Sequence, residues 1–253
     1  MDDNAIIRTR ELTVKFGGHT AVNCVNLDIP RNSFCSIIGP NGAGKTTFFN
    51  LISGLLMPTS GLIEFRGQDI THMPAYRRVR AGLGRTFQIT NVFPNLTVLE
   101  NVRLAIQSKT GIHYNIWRHY RDFRHFMANA QELLQTVNLE EKAGQLAFAL
   151  SHGDKRKLEL AIILALEPEV LLLDEPTAGM AVEEVPAVLE LLRKLKAMGN
   201  RTFLLVEHKI DMVMSLSDRV MVLANGQLLA QGDPQAIMAN EAVQASYLGG
   251  VSG

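Results

Sequence analysis

The run Gly39-Pro40-Asn41-Gly42-Ala43-Gly44-Lys45-Thr46 reads as a phosphate cradle. Its glycines let the backbone curl until successive N–H groups converge on one anion, and the partial positive charge at the start of a following helix adds to the field. Lys45 then meets the β- and γ-phosphate oxygens, the Thr46 hydroxyl is a ligand for Mg2+, and Thr47 belongs to the same loop. The pattern lies between an apolar run at 34–38 and helical spacing over 44–55, the setting that such a loop requires.

A bound triphosphate must also have its metal and its water managed. Val170-Leu171-Leu172-Leu173 reads as a buried strand that delivers Asp174 and Glu175 at its C-terminal end, where ligands gather in open α/β sheets. Asp174 is expected to hold Mg2+ with Thr46, directly or through the metal's inner ligands. Glu175 is expected to take the proton of the attacking water as general base. A third element, Ser151-His152-Gly153-Asp154, has capping-box spacing ahead of a helix expected over 155–166, and the free N–H groups there form a second anion site. Lys155, Arg156 and Lys157 are expected on a solvated helix face.

Several elements must position these groups. Strand signal at 6–16 and 34–38 is followed by a turn at 58–61 and a short strand at 62–65. From about 91 to 150 the spacing is helical, with a capping box at Thr97 and Glu100 opening a helix through 106. Residues 111–126, which hold the only Trp and three of the seven His, look like an insertion in that helical region. Alternation then resumes with a strand at 170–173, a helix at 183–197 and a strand at 202–206. Continuous apolar strands separated by helices indicate a parallel sheet covered on both faces. Residues 219–224 and 227–230 flank Asn225-Gly226, a type I′ hairpin signal, and Asp233-Pro234 opens a last helix.

The bulk properties fit one α/β domain. The chain has 253 residues, 47% of them apolar and 20% charged. Lysine and arginine number 25, as do aspartate and glutamate, so the net charge gives no support for a nucleic acid partner. Cys24 and Cys35 suit neither a disulfide framework nor zinc. The acidic N-terminus is unlike a signal peptide, and apolar runs fall short of the roughly 18 residues that suggest a membrane span. A cytoplasmic protein is expected, with any membrane role supplied by a partner.

With these motifs in this order, the sequence resembles the ATP-binding cassette family along essentially its whole length. The resemblance implies an α/β P-loop (RecA-like) core with a mostly parallel sheet, an N-terminal antiparallel β region and an inserted helical subdomain. The core is expected at 1–88 and 156–253, and the subdomain at about 89–155. Gln88 matches the glutamine loop between the two and is counted with the metal and catalytic residues. His208, in Val206-Glu207-His208, matches the switch histidine. Phe16, before Gly17, matches the aromatic that packs on adenine. Leu150-Ser151-His152-Gly153-Asp154 matches the signature that usually reads Leu-Ser-Gly-Gly-Gln, which the family lays across a head-to-tail dimer on the γ-phosphate of the other subunit. Ser151 and Gly153 are therefore its nucleotide contacts. His152, Asp154 and Ala181 depart from the usual pattern, and hydrolysis is still expected because Glu175 and His208 are kept.

Within the family the chain resembles ATP-binding subunits of branched-chain amino acid importers, on Arg85-Thr86-Phe87-Gln88, the aromatic insertion, Leu158-Glu159 after the signature, Ala178-Gly179-Met180 and Tyr247-Leu248-Gly249. Urea and short-amide importers share much of this pattern, and lipopolysaccharide exporters share the ending. A soluble cassette ATPase is the alternative from another class. The implied partners are a second ATPase subunit, identical or not, two membrane permease subunits and, indirectly, a periplasmic substrate-binding protein. The implied location is the inner face of the cell membrane.

Overall fold

The computed structural model describes residues 4–85, 92–109 and 119–248. The boundary expected at 88/89, Gln88 itself, residues 111–118 of the 111–126 insertion and the Gly249 ending lie outside the described residues. The chain builds two sheets with helices about them. The first is antiparallel, in the order β2-β1-β4-β5, from β1 (Ala5–Phe16), β2 (His19–Pro30), β4 (Ser60–Phe65) and β5 (Gln68–Asp69).

The second sheet runs β10-β9-β3-β8-β7-β6. Its members are β3 (Phe34–Ile38), β6 (Leu83–Arg85), β7 (Val170–Asp174), β8 (Thr202–Val206), β9 (Arg219–Ala224) and β10 (Gln227–Gly232). Every pairing in it is parallel except the β9–β10 hairpin. The expected α/β class, with a mostly parallel sheet and an antiparallel β region, is what the chain forms. At the hairpin Asn225 and Gly226 both take positive φ, 48° and 76°, as a type I′ turn requires.

The apolar strand runs are continuous because both faces of the parallel sheet are buried. Leu171, Leu173, Phe203 and Leu205 face one core, where the Phe34 and Phe203 rings stack at 5.0 Å. That core is completed by α3 (Val98–Lys109), α4 (His119–Thr136), α5 (His152–Leu164) and α6 (Val185–Ala197). Val170, Leu172, Leu204 and Val206 face the other core, shared with the antiparallel sheet and with Phe48, Phe49, Leu51 and Ile52 of α1 (Lys45–Ser53). Near the C-terminus α7 (Ile210–Leu216), α8 (Pro234–Met238) and α9 (Glu241–Leu248) close a third cluster on Ile38, Val220 and Val222.

A short helix, α2 (Ala75–Ala81), carries the most deeply buried cation among the described residues. Arg78 is 0% exposed and donates to the carbonyls of Leu51 and Ile52 at the end of α1, and to those of Met73 and Thr71. Burial pulls its pKa down to about 10. The capping box at Thr97 forms in both directions, with Glu100 N donating to Thr97 Oγ1 at 3.1 Å and Thr97 N to Glu100 Oε2 at 3.0 Å. Helix α5 starts at His152, three residues before the expected start, because Ser151 caps it. Helix α6 starts at Val185, after a 3-10 turn at Val182–Glu184.

Candidate active site

Strand β3 leads into the 39–44 loop, and α1 leaves it at Lys45. Two glycines there are required by space as well as by torsion. Gly39 has φ 151° and a Cβ on it would lie 2.0 Å from the Leu223 carbonyl oxygen. Gly44 has φ 94° and a Cβ would meet the Ala21 carbonyl oxygen at 2.4 Å. The loop therefore lies directly on β2 and β9, which hold its curl in place. Lys45 Nζ donates to the Gly39 and Pro40 carbonyls at 2.7 and 2.8 Å, and burial pulls its pKa down.

The loop floors a cleft of about 470 Å³ that gathers many of the expected residues, whereas Gly39, Pro40 and Asp174 are not among those that line it. Asn41, Gly42, Ala43, Gly44, Lys45, Thr46 and Thr47 line it from the loop and α1. Glu175 and His208 line it from the ends of β7 and β8, and Phe16 lines it from the end of β1. Phe16 is 49% exposed, so a large ring face is offered to whatever enters. His19 and Ala21 also line the cleft; they belong to β2, a strand that the sequence reading passed over.

Glu175 sits just past β7 in the left-handed region, φ 45°, where its N–H donates to the Val206 carbonyl at 2.9 Å. Non-glycine residues use that region sparingly, and an outlier of this kind costs on the order of 1–3 kcal/mol. The turn aims the carboxylate at the cleft, where Glu175 Oε1 lies 3.1 Å from His208 Nε2. Next to it, Glu207 accepts from the Thr177 hydroxyl at 2.6 Å, which fixes the chain on either side of the pair. A carboxylate held this way can accept a proton from a water bound between it and a phosphate.

Asp174 is 1% exposed, and its Oδ2 accepts from Arg85 Nη2 at 2.8 Å. Burial pushes its carboxyl up, against the pull of the Arg85 guanidinium. In the sequence Arg85 stands out only as part of a stretch shared with a family. Its position beside a carboxylate of β7 follows from β6 pairing with β7, which the three residues Leu-Gly-Arg gave no periodicity to reveal. Thr46, Asp174 and Glu175 offer hydroxyl and carboxylate oxygens, the donor set that suits Mg2+ when phosphates supply the rest of its shell.

The structure places the signature residues at the N-terminus of α5. Ser151 Oγ accepts from Asp154 N at 3.1 Å. Asp154 turns to Lys142 and Lys157 rather than completing the expected capping box, and Glu184 approaches the helix start. Glu184 Oε1 accepts from Gly153 N at 3.2 Å, and this carboxylate is held below its ordinary pKa first by Ser151 and then by the Gly153 N–H. Lys157 and Arg156, expected on a solvated face, are half-buried and paired with Asp154 and Glu159. Ser151 and Gly153 do not line the cleft that holds Lys45. At the other end of the chain, burial pushes the Tyr247 hydroxyl up while a hydrogen bond with the Gly39 backbone opposes it, so α9 rests against the first residue of the loop.

Residues 22–178 match the model of the family described as ABC transporter, and residues 227–252 match that of the branched-chain amino acid ATP-binding cassette transporter. The chain is 39% identical to the high-affinity branched-chain amino acid transport ATP-binding protein BraF of Pseudomonas aeruginosa, covering 96% of this chain and 98% of that one. It is also 39% identical to LivG of Escherichia coli, over the same shares. Among solved structures it is similar to MJ1267, an ATP-binding cassette of an ABC transporter in its ADP conformation. The TM-score is 0.82 at 27% identity, over 97% of this chain and 99% of the other. A dimeric post-hydrolysis state of the cassette MJ0796 with ADP and Pi gives a TM-score of 0.76 at 27% identity, over 90% of this chain and 98% of that one.

Proposed function

The chain belongs to the ABC transporter family, and from that premise we propose that it is the ATP-hydrolysing subunit of an importer for branched-chain or other hydrophobic amino acids. The observation that carries the chemistry is the convergence of Lys45, Thr46, Glu175 and His208 on one cleft beside Phe16. The relatives named for branched-chain amino acid transport, matched over nearly their full length, carry the substrate class.

In this reading the loop amides of 39–46 and the Lys45 ammonium hold the β- and γ-phosphates, and Phe16 stacks on the adenine. Thr46 and Asp174, with Gln88, would hold Mg2+, which would supply positive charge to offset that of the bound phosphates. Glu175 accepts a proton from the attacking water as the new P–O bond forms and the bond to ADP breaks. His208 donates to Glu175 in the described geometry, which keeps that carboxylate aimed at the water. Ser151 and Gly153 stand apart from their own cleft, which supports their use on the γ-phosphate of a second cassette, identical or not. Glu184 has to release them for that to happen.

The helical region of about 89–155 acts as the subdomain on which a membrane permease subunit docks, in an assembly with two such permease subunits, and exposed Phe93, Leu146 and Phe148 support a contact surface there. Among the described residues no helix is long and apolar enough to cross a membrane, so membrane association at the cytoplasmic face comes from those partners, which a periplasmic binding protein feeds with solute. The test is uptake of labelled leucine, isoleucine and valine in a strain lacking the gene, complemented with wild type or Glu175→Gln. Uptake should return only with wild type. Normal leucine uptake in the deletion strain, with loss of urea or short-amide uptake, would assign the solute to the neighbouring importer class.

A further inference from the structure

Arg85 is 9% exposed and joins three elements at once. Its Nη2 donates to Asp174 Oδ2 at 2.8 Å, and its Nη1 donates to Asn50 Oδ1 and Ser53 Oγ, both at 2.7 Å. The guanidinium carbon also lies 5.7 Å from the centre of the Phe49 ring. Asn50 and Ser53 follow Thr46 on α1 at intervals of four and three residues, so the three share one stripe of the helix. One planar fork thus binds the carboxylate of β7 and the helical stripe that begins with Thr46. A lysine could satisfy one of these partners as a point charge but could not hold them in one plane.

We propose that Arg85 is a positioning residue of the Mg2+ site, fixing the Asp174 carboxylate relative to the Thr46 hydroxyl through its paired bonds to α1 and β7. The inference rests on the reading of Thr46 and Asp174 as metal-holding residues. Arg85 touches neither nucleotide nor metal in this scheme; it sets the spacing of the groups that do. Partners behind metal ligands are worth 10–100-fold in metal affinity or activity.

The test compares wild type, Arg85→Lys, Asn50→Ala/Ser53→Ala and Asp174→Asn in the intact chain. Two quantities are read: the ratio of ATP affinities with Mg2+ and with EDTA, and the Mg2+ concentration that half-saturates hydrolysis. Arg85→Lys keeps a cation beside the buried carboxylate, so the fold has a route to stay intact, and its melting temperature is checked in EDTA. We expect its metal-free ATP affinity to stay within about twofold of wild type, while its Mg2+ half-saturation rises about tenfold. Asn50→Ala/Ser53→Ala keeps the ion pair but loses the anchor to α1, and should show a smaller rise in the same direction. If both variants bind Mg2+ with wild-type affinity and lose only stability or kcat, Arg85 is structural alone and the inference is overturned. If Asp174→Asn also leaves the Mg2+ dependence unchanged, the metal role of Asp174 falls, and with it the reading on which the inference rests.

Discussion

Ser151 serves one purpose within its own chain and is assigned another across a dimer, and substitution can separate the two. Within the chain it caps α5 through Asp154 N at 3.1 Å. Losing that cap in Ser151→Ala should cost about 1 kcal/mol, since the buried residues later in α5, Leu158 to Leu164, keep their packing. In a chain of this size that is a fall of about 2–4 °C in Tm. Ser151→Asp keeps a side-chain oxygen able to cap and adds a charge that suits a helix start. Glu184 lies beside this position, so the variant is best made with Glu184→Gln, which removes the like charge. Across the dimer the new carboxylate would face a γ-phosphate. Two unit charges about 4 Å apart at an effective dielectric near 20 repel by about 4 kcal/mol, which is about 10³-fold in pairing. Nucleotide affinity is measured by calorimetry at dilutions where chains are separate, and ATP-driven pairing by light scattering in the Glu175→Gln background. The Asp variant should melt with its Glu184→Gln parent, bind ATP as a single chain with unchanged affinity, and fail to pair. Pairing as tight as the parent's would show that α5 does not meet the γ-phosphate, and lost affinity in separate chains would move its action into its own site.

Three further outcomes are expected. Glu175→Gln should keep ATP affinity and lower kcat at least about 100-fold, because the base is lost while the cradle survives; hydrolysis near wild type would remove Glu175 from its role. Lys45→Ala should weaken MgATP binding in calorimetry, and unchanged affinity would contradict the cradle. Arg78→Met should lower stability by about 3 kcal/mol, because four carbonyls lose their donor, those of Leu51 and Ile52 at the C-terminal end of α1 and those of Thr71 and Met73 before α2; denaturant melts that superimpose on wild type would refute this.

The sequence was most legible where burial is continuous. Strands 34–38, 170–174 and 202–206 are buried at every position and read as largely apolar runs, broken only by Ser36, Asp174 and Thr202, because both sides of those strands are covered, and the loop and carboxylates sit at their ends. β2 escaped because its alternation breaks: Cys24 takes a positive φ of 50°, and the pairing with β1 shifts register more than once. The helices α2 and α7, each seven residues, are too short to show a 3.6-residue period. Of the candidate site, the residues that carry a recognisable motif were readable, wherever in the chain they lie, and those brought in by topology without one were not. Arg85 and Asp174 are 89 positions apart, and only the β6–β7 pairing brings them together. Glu184 meets Gly153 across 31 positions, after a turn whose residues carry no pattern of their own.

The most direct measurement is the mass and nucleotide content of the Glu175→Gln protein given ATP and Mg2+, alone and with the second cassette and permease subunits. The account predicts paired cassettes with two ATP molecules per pair, formed only when both Lys45 and Ser151 are intact. Single cassettes that each carry ATP and never pair in either setting would contradict it.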